Sequence, residues 1–424
     1  MWRNSLLGDL VEITSGGTPS RDISEYWQGD IPWVTPTDVT ACRTNYLFAT
    51  ADRITKKGLL NSSAKVLPAG SILFTSRATV GVSKIASVPV CTNQGFKSLT
   101  PLPGIDGVFL FYQVQRLRGE FERFAAGSTF PEINKKDTAR VLIPHPEDPW
   151  AQKKIAAILT AIDATIQKTE AVIAKYQQIK AGLMHDVFTR GVLANGQLRP
   201  SREQAPELYQ ETKIGWIPRE WDLKRCADLC KRICVGIVIQ PTQYYVDEGV
   251  PALRSANVRE DGIDPINFVY ISAASNQLLA KSQVKAGDIV SVRTGYPGTS
   301  AVIPPEFQGA NCIDILISTP GERINSEYLC DWINSSFGKG QVLRQQGGMA
   351  QQHFNVGEMR ELLVALPDLD EQMKIRSKIN AVASKLAIDR VFLEKLRTQK
   401  LGLMQDLLTG KVPIKVDAPE AAYA

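Results

Sequence analysis

The sequence is poor in histidine and lacks the short motifs through which many enzymes hold a nucleotide or a nucleophile. Only three histidines, His145, His185 and His353, occur in 424 residues, and none stands in a metal-binding spacing. No Gly-x-x-x-x-Gly-Lys-Ser/Thr, Gly-x-Gly-x-x-Gly or Gly-x-Ser-x-Gly is present. These absences argue against ATP, nicotinamide and esterase chemistry, so we predict a non-catalytic chain without a metal or cofactor of its own.

Long apolar runs and paired cysteines are missing as well. The longest apolar runs, such as residues 233–239 and 362–366, are far shorter than the roughly 20 residues that cross a bilayer. The seven cysteines contain no Cys-x-x-Cys pair, and the acidic Asp9 precedes any apolar stretch long enough for a secretory signal. We therefore expect a cytoplasmic protein with reduced thiols and no membrane span.

The charge is unevenly distributed along a chain of otherwise ordinary globular composition. With 44% hydrophobic and 22% charged residues, 424 residues should divide into two or three domains. Residues 1–149 carry 16 basic and 14 acidic groups and residues 213–369 carry 15 and 17, whereas residues 150–190 carry 6 and 3 and residues 370–412 carry 9 and 5. The net charge of +5 therefore lies mainly on two short segments.

These two basic segments repeat each other. A shift of 220 residues brings 12 identical residues into register over 41 ungapped positions, from Gln152 against Gln372 to Val192 against Val412. The densest part is a Lys-x-Gly-Leu-Met-x-Asp motif that begins at Lys180 and again at position 400. A match of this density indicates a duplicated segment.

Each copy carries an apolar seam whose steps alternate between four and three residues, as in a coiled coil. We predict one long helix from each copy, about 38 residues and roughly 57 Å long, and antiparallel pairing of the two helices. The alternative is that each helix packs only on its own domain, and the closing Leu-Met pairs either end the coiled coil or bind a partner helix. The predicted pairing residues are Ile155, Leu159, Ile162, Ile166, Ile173, Tyr176, Leu183, Met184, Ile375, Ile379, Val382, Leu386, Leu393, Leu396, Leu403 and Met404.

The globular segments that precede the helices match more loosely. Short β-rich runs between Gly/Pro turns predict two α+β modules, so the fold class is α+β with two modules separated by two long antiparallel helices in a pseudo-twofold internal repeat. The predicted boundaries are residues 1–149 for the first module, 150–190 for the central helix, 191–212 for a linker, 213–369 for the second module, 370–412 for the C-terminal helix and 413–424 for a flexible tail.

A duplicated module on a helical spacer suits a long ligand with two separated sites, and DNA is the natural candidate. A spacer of ~57 Å corresponds to at most about 17 base pairs. Because the modules differ in sequence, they should bind different half-sites, and the target would be split and asymmetric.

Several motifs make the chain resemble the specificity subunit of type I restriction-modification systems. These are the tandem arrangement, the Lys-x-Gly-Leu-Met-x-Asp motif followed by two apolar residues and Thr at the end of each helix, Ile-Gly-Trp-Ile-Pro-x-x-Trp at residues 214–221, and Thr-Asn-Gln-Gly-Phe at residues 92–96. The resemblance covers residues 1 to about 412. The first module departs from the pattern, because it starts at Trp2 without the full Ile-Gly-Trp-Ile-Pro opening.

The resemblance implies two target recognition domains that direct two methyltransferase subunits, and restriction (motor-nuclease) subunits, to a bipartite double-stranded DNA site. Adenine-N6 methylation would then use S-adenosylmethionine held by the methyltransferase partners, and ATP and Mg²⁺ would belong to the restriction partners. Two other hypotheses stay open: a stand-alone DNA-binding adaptor without a methyltransferase partner, and a purely structural coiled-coil protein.

Candidate DNA contacts are exposed polar and basic side chains on turns. Residues 16–21 form a polar loop, and residues 76–81 and 292–298 follow matching strands, with Arg77 and Arg293 in matching places. The alternatives are an ordinary strand connector for the loop and an internal ion pair for each arginine.

Two further polar loops, residues 127–136 and 347–355, each contain one aromatic residue, and their alternative role is a capped turn before a helix. The complete set of predicted DNA-binding residues is Thr18, Ser20, Arg21, Ser76, Arg77, Thr79, Asn93, Gln94, Lys97, Asn134, Lys135, Arg254, Arg293, Thr294, Tyr296, Gln351, Gln352, His353 and Asn355.

Overall fold

The computed structural model describes residues 1–125, 131–345 and 353–414, and the chain divides into two compact units. The first unit contains Met1–Ala171 together with the chain from Arg390 onward, and the second contains Val172–Asp389. Each unit thus combines one globular module with a part of both long helices. The fold class predicted from the sequence, α+β with two long helices, is confirmed.

The first module contains ten strands and six short helices within the described ranges, followed by the first long helix. The strands are β1 Trp2–Leu6, β2 Val11–Ser15, β3 Trp27–Val34, β4 Tyr46–Leu47, β5 Asp52–Ile54, β6 Ile72–Phe74, β7 Ser83–Ala86, β8 Cys91–Thr92, β9 Lys97–Pro101 and β10 Leu142–Pro146. The helices are α1 Leu7–Leu10, α2 Pro36–Ala41, α3 Lys56–Leu60, α4 Gly107–Arg116, α5 Arg118–Ala125, α6 Lys135–Arg140 and the long α7 Pro149–Arg190.

The second module follows, with the second long helix after it. Its strands are β11 Tyr209–Thr212, β12 Gly215–Pro218, β13 Asp222–Arg225, β14 Cys230–Val235, β15 Tyr245–Val246, β16 Val250–Leu253, β17 Val258–Arg259, β18 Gly262–Ile263, β19 Val269–Ile271, β20 Ile289–Val292, β21 Ser300–Val302, β22 Asn311–Cys312, β23 Ile315–Pro320 and β24 Leu363–Leu366. Its helices are α8 Cys226–Leu229, α9 Ala273–Leu278, α10 Ser326–Asn334, α11 Ser336–Gln345, α12 Val356–Glu361 and the long α13 Leu369–Leu407.

The sheets of the two modules follow the same plan. The main sheet has the order β2-β9-β6-β7-β4 in the first module and β14-β23-β20-β21 in the second. A second sheet has the order β5-β3-β8 in the first module and β15-β19-β16-β22 in the second, and β3–β8 and β16–β22 are both parallel pairs. An antiparallel pair, β1–β10 or β13–β24, leads into each long helix. The second module therefore repeats the main sheet, the second sheet and the antiparallel pair of the first, and adds the pairs β11–β12 and β17–β18.

Each unit has a core to which both long helices contribute. In the first unit, Ile155 and Leu159 near the start of α7 share an apolar cluster with Met404 and Leu407 near the end of α13. In the second unit the ends are exchanged, and Met184 of α7 shares a cluster with residues at the start of α13. The two Met residues of the repeated motif are therefore buried in module cores.

The residues of the apolar seam are covered in the structure. All sixteen predicted pairing residues are buried or half-buried. Within the first unit, Arg397 Nη2 lies 2.8 Å from Glu170 Oε1 and Lys400 Nζ lies 2.7 Å from Asp163 Oδ1, so the helices run in opposite directions there. The break in the seam at position 400 has a cause, because a lysine there neutralises a buried carboxylate.

Two buried glutamines anchor the starts of the long helices in the same way. Gln152 Oε1 accepts a hydrogen bond from the backbone N–H of Asp106 (2.8 Å), and Gln372 Oε1 accepts one from the backbone N–H of Asn325 (2.8 Å). Each glutamine also donates to a backbone carbonyl. Since Asp106 and Asn325 cap α4 and α10, each bond joins a long helix to a capped short helix of its module.

Both long helices are followed by a glycine in the left-handed region that packs on a tryptophan. Gly191 has φ +67°, and an added Cβ would lie 2.7 Å from the Trp221 ring. Gly410 has φ +74°, and an added Cβ would lie 2.6 Å from the Trp2 ring. The α-helical part of α13 ends five residues before the predicted residue 412, with turns between it and this glycine. Among the described residues, no helix is long and apolar enough to cross a membrane.

Candidate nucleic-acid interface

Four segments of the first module meet beyond one end of the strands of its main sheet. They are residues 16–21 after β2, residues 76–81 after β6, residues 93–95 before β9, and residues 131–134 before α6. The backbone N–H of Gly17 donates to Thr92 O (2.9 Å), that of Ser76 to Gly95 O (2.8 Å), and that of Ile133 to Ser76 O (3.0 Å). These bonds fix the four segments into one continuous face, which we call the first face.

Glycine is required where the loop of residues 16–21 leaves β2. A Cβ on Gly16 would overlap the carbonyl oxygens of Thr92 and Asn93. The next residue is held as well, because the buried Trp33 Nε1 donates to Gly17 O at 2.9 Å. Close backbone approach therefore positions this loop, and its polar residues project from a fixed base.

The arginines of the first face form ion pairs. Arg21 Nη2 lies 2.7 Å from Asp52 Oδ2, and its guanidinium carbon lies 3.8 Å from the centroid of the Trp27 ring. Arg77 Nε lies 2.8 Å from Glu132 Oε1. The alternative of an internal ion pair therefore describes Arg77, and Arg21 is paired as well, yet about half of each arginine side chain is exposed.

Other predicted residues of the first face bond to one another. Thr18 Oγ1 donates to Gln94 Oε1 at 2.5 Å, which joins the loop of residues 16–21 to the turn before β9. Asn93 Oδ1 accepts from the backbone N–H of Gly95 (2.9 Å), and Ser20 O accepts from Trp27 Nε1 (2.9 Å). Thr18, Ser20 and Gln94 are exposed, so their side chains are available to a ligand.

Ser76 and Lys97 do not have the exposure that a DNA contact needs. Ser76 is fully buried and Lys97 is 8% exposed. Burial lowers the pKa of the Lys97 ammonium, an effect that Glu132 opposes and Arg77 reinforces. Lys97 Nζ lies 3.4 Å from Ser76 Oγ, so both residues support the first face from below. Thr79, also predicted as a contact, is half-buried.

The second module has an equivalent face, which we call the second face. The backbone N–H of Ile237 donates to Cys312 O (2.8 Å), and that of Asp314 donates to Ile237 O (3.0 Å). The backbone N–H of Phe354 donates to Arg293 O (2.9 Å). The second face thus contains the loop after β14, the residues before β23, the turn after β20 and the residues before α12.

Arg293 of the second face is paired and largely covered. Its Nη1 forms an ion pair with Asp314 Oδ1, and 19% of its side chain is exposed, compared with 49% for Arg77. Asp314 has φ +48°, in the left-handed region that residues other than glycine seldom occupy. This conformation places the Asp314 carboxylate beside the arginine.

The prediction that Arg77 and Arg293 occupy matching places was wrong by one residue. The turn after β6 is closed by a bond from Gly81 N–H to Thr75 O (3.0 Å), and the turn after β20 by one from Gly298 N–H to Val292 O (3.0 Å). Arg77 therefore lies two residues after Thr75, whereas Arg293 lies one residue after Val292. The position that matches Arg77 is Thr294, which is half-buried.

Two predicted asparagines are helix caps. Asn134 Oδ1 accepts from the backbone N–H of Asp137 (2.9 Å) and caps α6, and Asn355 Oδ1 accepts from that of Glu358 (3.0 Å) and caps α12. The alternative of a capped turn before a helix describes both. Lys135 lies exposed at the first position of α6.

The remaining predicted residues belong to the second module. Tyr296 and His353 are exposed on the second face. Arg254 is half-buried, and its Nη2 donates to Asn267 O at 2.7 Å. Gln351 and Gln352 lie outside the described residues.

Sequence inspection missed two aliphatic residues of the second face. Val238 and Ile239 follow β14 in the place that Thr18 and Pro19 take after β2, and they are 51% and 79% exposed. A signal was present, since the apolar run of residues 233–239 extends past the end of the strand. The carboxylates Glu132 and Asp314 were also missed, because their sequence neighbours give no sign of an arginine partner.

The two faces have the chemistry of a DNA-contacting surface. Arginine, glutamine and threonine side chains bond phosphates and base edges, and exposed aliphatic groups contact the thymine methyl. In the described parts of the chain, no group of three histidine, cysteine or acidic side chains is placed to hold a metal ion.

Comparison with known proteins gives a consistent result. Residues 1–179 match the family model of the type I restriction modification DNA specificity domain. The type I restriction enzyme MjaIX specificity subunit of Methanocaldococcus jannaschii is 24% identical over 98% of this chain and 94% of its own length. The S subunit of a type I restriction-modification system from M. genitalium is similar in fold, with a TM-score of 0.57, 14% identity and coverage of 96% of both chains.

A further solved structure is described in terms of the complex assembly and conformational transition of the type I R-M system. One of its chains matches with a TM-score of 0.57 and 17% identity, over 97% of this chain and 98% of its own length. The similarity in fold therefore extends over both modules and both long helices.

Proposed function

Because this chain belongs to the family of type I restriction-modification DNA specificity subunits, we propose that it selects a bipartite, asymmetric DNA target and brings its partner subunits to that target. Each module would bind one half-site through its face. The partners would be two methyltransferase subunits and restriction subunits.

One observation carries the proposal of two different half-sites. The first and second faces have the same four-segment frame, but the frame carries different side chains in the two modules. Thr18 and Arg21 project from the first loop of the first face, whereas Val238 and Ile239 project from that of the second. Since base pairs are distinguished by donors, acceptors and the thymine methyl, two such surfaces favour different sequences.

The chemistry of the complex would belong to the partners. The proposal assigns S-adenosylmethionine to the methyltransferase subunits, which would methylate adenine at N6, and ATP and Mg²⁺ to the restriction subunits. This chain would contribute sequence choice alone. A stand-alone bipartite DNA-binding adaptor would have the same two faces but would act without a methyltransferase.

Co-expression tests the proposal. The chain would be produced with the methyltransferase of its own system, and adenine methylation of the host genome would be mapped by single-molecule sequencing. We expect a bipartite motif that appears only when both proteins are present. Exchange of one module for that of a relative should change one half of the motif and leave the other half intact.

Two results would count against the proposal. A stable complex with an active methyltransferase that leaves the genome unmethylated would favour the adaptor. A motif that stays the same after exchange of either module would show that sequence choice lies elsewhere.

A further inference from the structure

We propose that Glu132 and Asp314 are specificity-determining residues, because each carboxylate restrains the arginine of its face and weakens the contacts of that face with phosphates. The inference rests on the proposed function and concerns how DNA of the wrong sequence is rejected. Neither carboxylate is among the predicted DNA-binding residues. Each would act through its arginine as a positioning residue.

The first observation is that the pairing occurs twice in different ways. Arg77 and Glu132 come from the turn after β6 and the segment before α6, whereas Arg293 and Asp314 come from the turn after β20 and the residue before β23. The arginines stand one position apart in the two turns, so the pairs are not copies of one inherited contact. In both faces, nevertheless, a carboxylate forms an ion pair with the arginine of the turn.

The geometry leaves part of each guanidinium available. The contact of Glu132 with Arg77, at 2.8 Å, is at Nε, and a guanidinium has five N–H donors, four of which are on its two terminal amino groups. Those amino groups form the fork that bonds guanine O6 and N7. Asp314 contacts Arg293 at Nη1, and the buried Arg293 Nε has no hydrogen-bond partner among the described residues.

Charge explains the effect on specificity. A free arginine attracts any phosphate, and this attraction is the main source of sequence-independent binding. A carboxylate about 3 Å from the guanidinium offsets its charge and repels phosphate oxygens, whereas the neutral acceptors of a base edge suffer less repulsion. The pair therefore favours a correctly placed base over the backbone. In the first face, Glu132 and Arg77 also act on Lys97, since they shift the pKa of its ammonium in opposite directions.

The test uses the full chain and Glu132→Gln or Asp314→Asn, with two kinds of duplex. One carries the motif found by methylation mapping, and the others carry the same motif with one or both halves scrambled. We expect Glu132→Gln to raise affinity for the fully scrambled duplex about three- to tenfold, to steepen its salt dependence by about one phosphate contact and to change affinity for the intact motif less than twofold.

Each variant should also act on its own half of the motif. Glu132→Gln should reduce discrimination against changes in the half bound by the first module, and Asp314→Asn should do so for the other half. In the double variant Arg77→Gln/Glu132→Gln, the gain in affinity for scrambled DNA should disappear, because the carboxylate acts through the arginine.

Matched controls separate this effect from a general change in charge. Glu147→Gln removes a carboxylate paired with Arg3 beside β1 and β10, and Asp228→Asn removes one paired with Arg225 at 3.2 Å in α8. Both lie outside the segments of the two faces. We expect each control to change affinity for scrambled DNA less than twofold.

Three outcomes would overturn the inference. The first is that the face variants bind scrambled DNA no better than the controls, and the second is that both halves of the motif respond equally to one variant. The third is that binding falls together with the unfolding temperature, as for a purely structural contact. The proposed function fails separately, if the wild-type chain with its partner does not distinguish the intact motif from the scrambled duplex.

Discussion

The two modules agree in their buried polar contacts and differ at their faces. Gln152 and Gln372 anchor the two long helices through equivalent bonds, and Trp2 and Trp221 pack on equivalent glycines. The faces, by contrast, carry polar residues after β2 and aliphatic residues after β14. A buried donor or acceptor without a partner destabilises the fold, whereas an exposed loop residue is replaced at little cost. One frame therefore supports two surfaces of different chemistry.

The agreement has one clear exception in the second unit. Glu371 Oε1 accepts from the backbone N–H of Val192 (2.7 Å), and its Oε2 accepts from Trp221 Nε1 (3.0 Å) and Arg199 Nη2 (3.0 Å). The residue of α7 that corresponds to Glu371 is Ala151. This buried network therefore joins the linker to α13 in a way that the first unit does not repeat at that position.

The largest effect should follow removal of this network. Glu371→Gln would leave the buried Arg199 without its main counter-charge, so we expect a loss of about 3–5 kcal/mol in stability. Hydrogen exchange should accelerate in residues 172–389 before the first unit responds. The control is Glu220→Gln, because Glu220 also contacts Arg199 but its side chain is 79% exposed. Equal losses for the two variants would contradict the central role of Glu371.

The next effect tests the agreement between modules. Gln152→Leu and Gln372→Leu each remove the acceptor of one backbone N–H and a side-chain donor to backbone carbonyls, and we expect a loss of about 2–4 kcal/mol for each. Urea unfolding followed by hydrogen exchange in each unit measures the two values. Values that differ by more than about 1.5 kcal/mol would show that the anchors are not energetically equivalent.

A smaller pair of effects is expected at the glycines after the helices. Gly191→Ala and Gly410→Ala both place a Cβ in the left-handed region, at a cost of about 1–3 kcal/mol. Gly191→Ala should be the more destabilising, because its Cβ would also disturb Glu371 and Arg199. The shift in thermal unfolding midpoint compares them, and a larger shift for Gly410→Ala would refute the predicted order.

The smallest effect is expected on the exposed edge of the helix pair. Arg397→Met removes a half-exposed ion pair with Glu170 and should cost about 0–1 kcal/mol. Lys400→Met should cost more, since it leaves the buried Asp163 without its cation. Urea unfolding at low and high salt tests both, and only the Arg397 variant should resemble the wild-type chain at high salt.

The fold was accessible from the sequence because its strongest signals are periodic. A heptad seam with matching breaks in two copies predicts two long helices, and the structure has them at Pro149–Arg190 and Leu369–Leu407. The details of the faces were less accessible. The one-residue offset of Arg77 from Arg293 depends on which residues close a turn, and sequence spacing does not determine that.

The sequence also did not indicate which side chains of the faces are buried. Lys97 follows a motif of polar residues and looks exposed, but it begins β9 and points beneath the first face. Asp314 gains its arginine partner through a left-handed backbone conformation that its neighbours do not announce. Residue types thus located the loops, while tertiary contacts decided which side chains face outward.

The first unit is built from two separate segments of the chain, and this has a consequence for folding during synthesis. Its core includes Leu159 and Leu407, which are separated by almost 250 residues of chain, and Gln113 Nε2 donates to the backbone carbonyl of Leu408 (2.7 Å). On the ribosome, the first module therefore emerges early but waits for α13 before its core is complete. The second unit, Val172–Asp389, is contiguous, so all of it is synthesised before the end of α13. We therefore expect the module that is synthesised first to finish folding last.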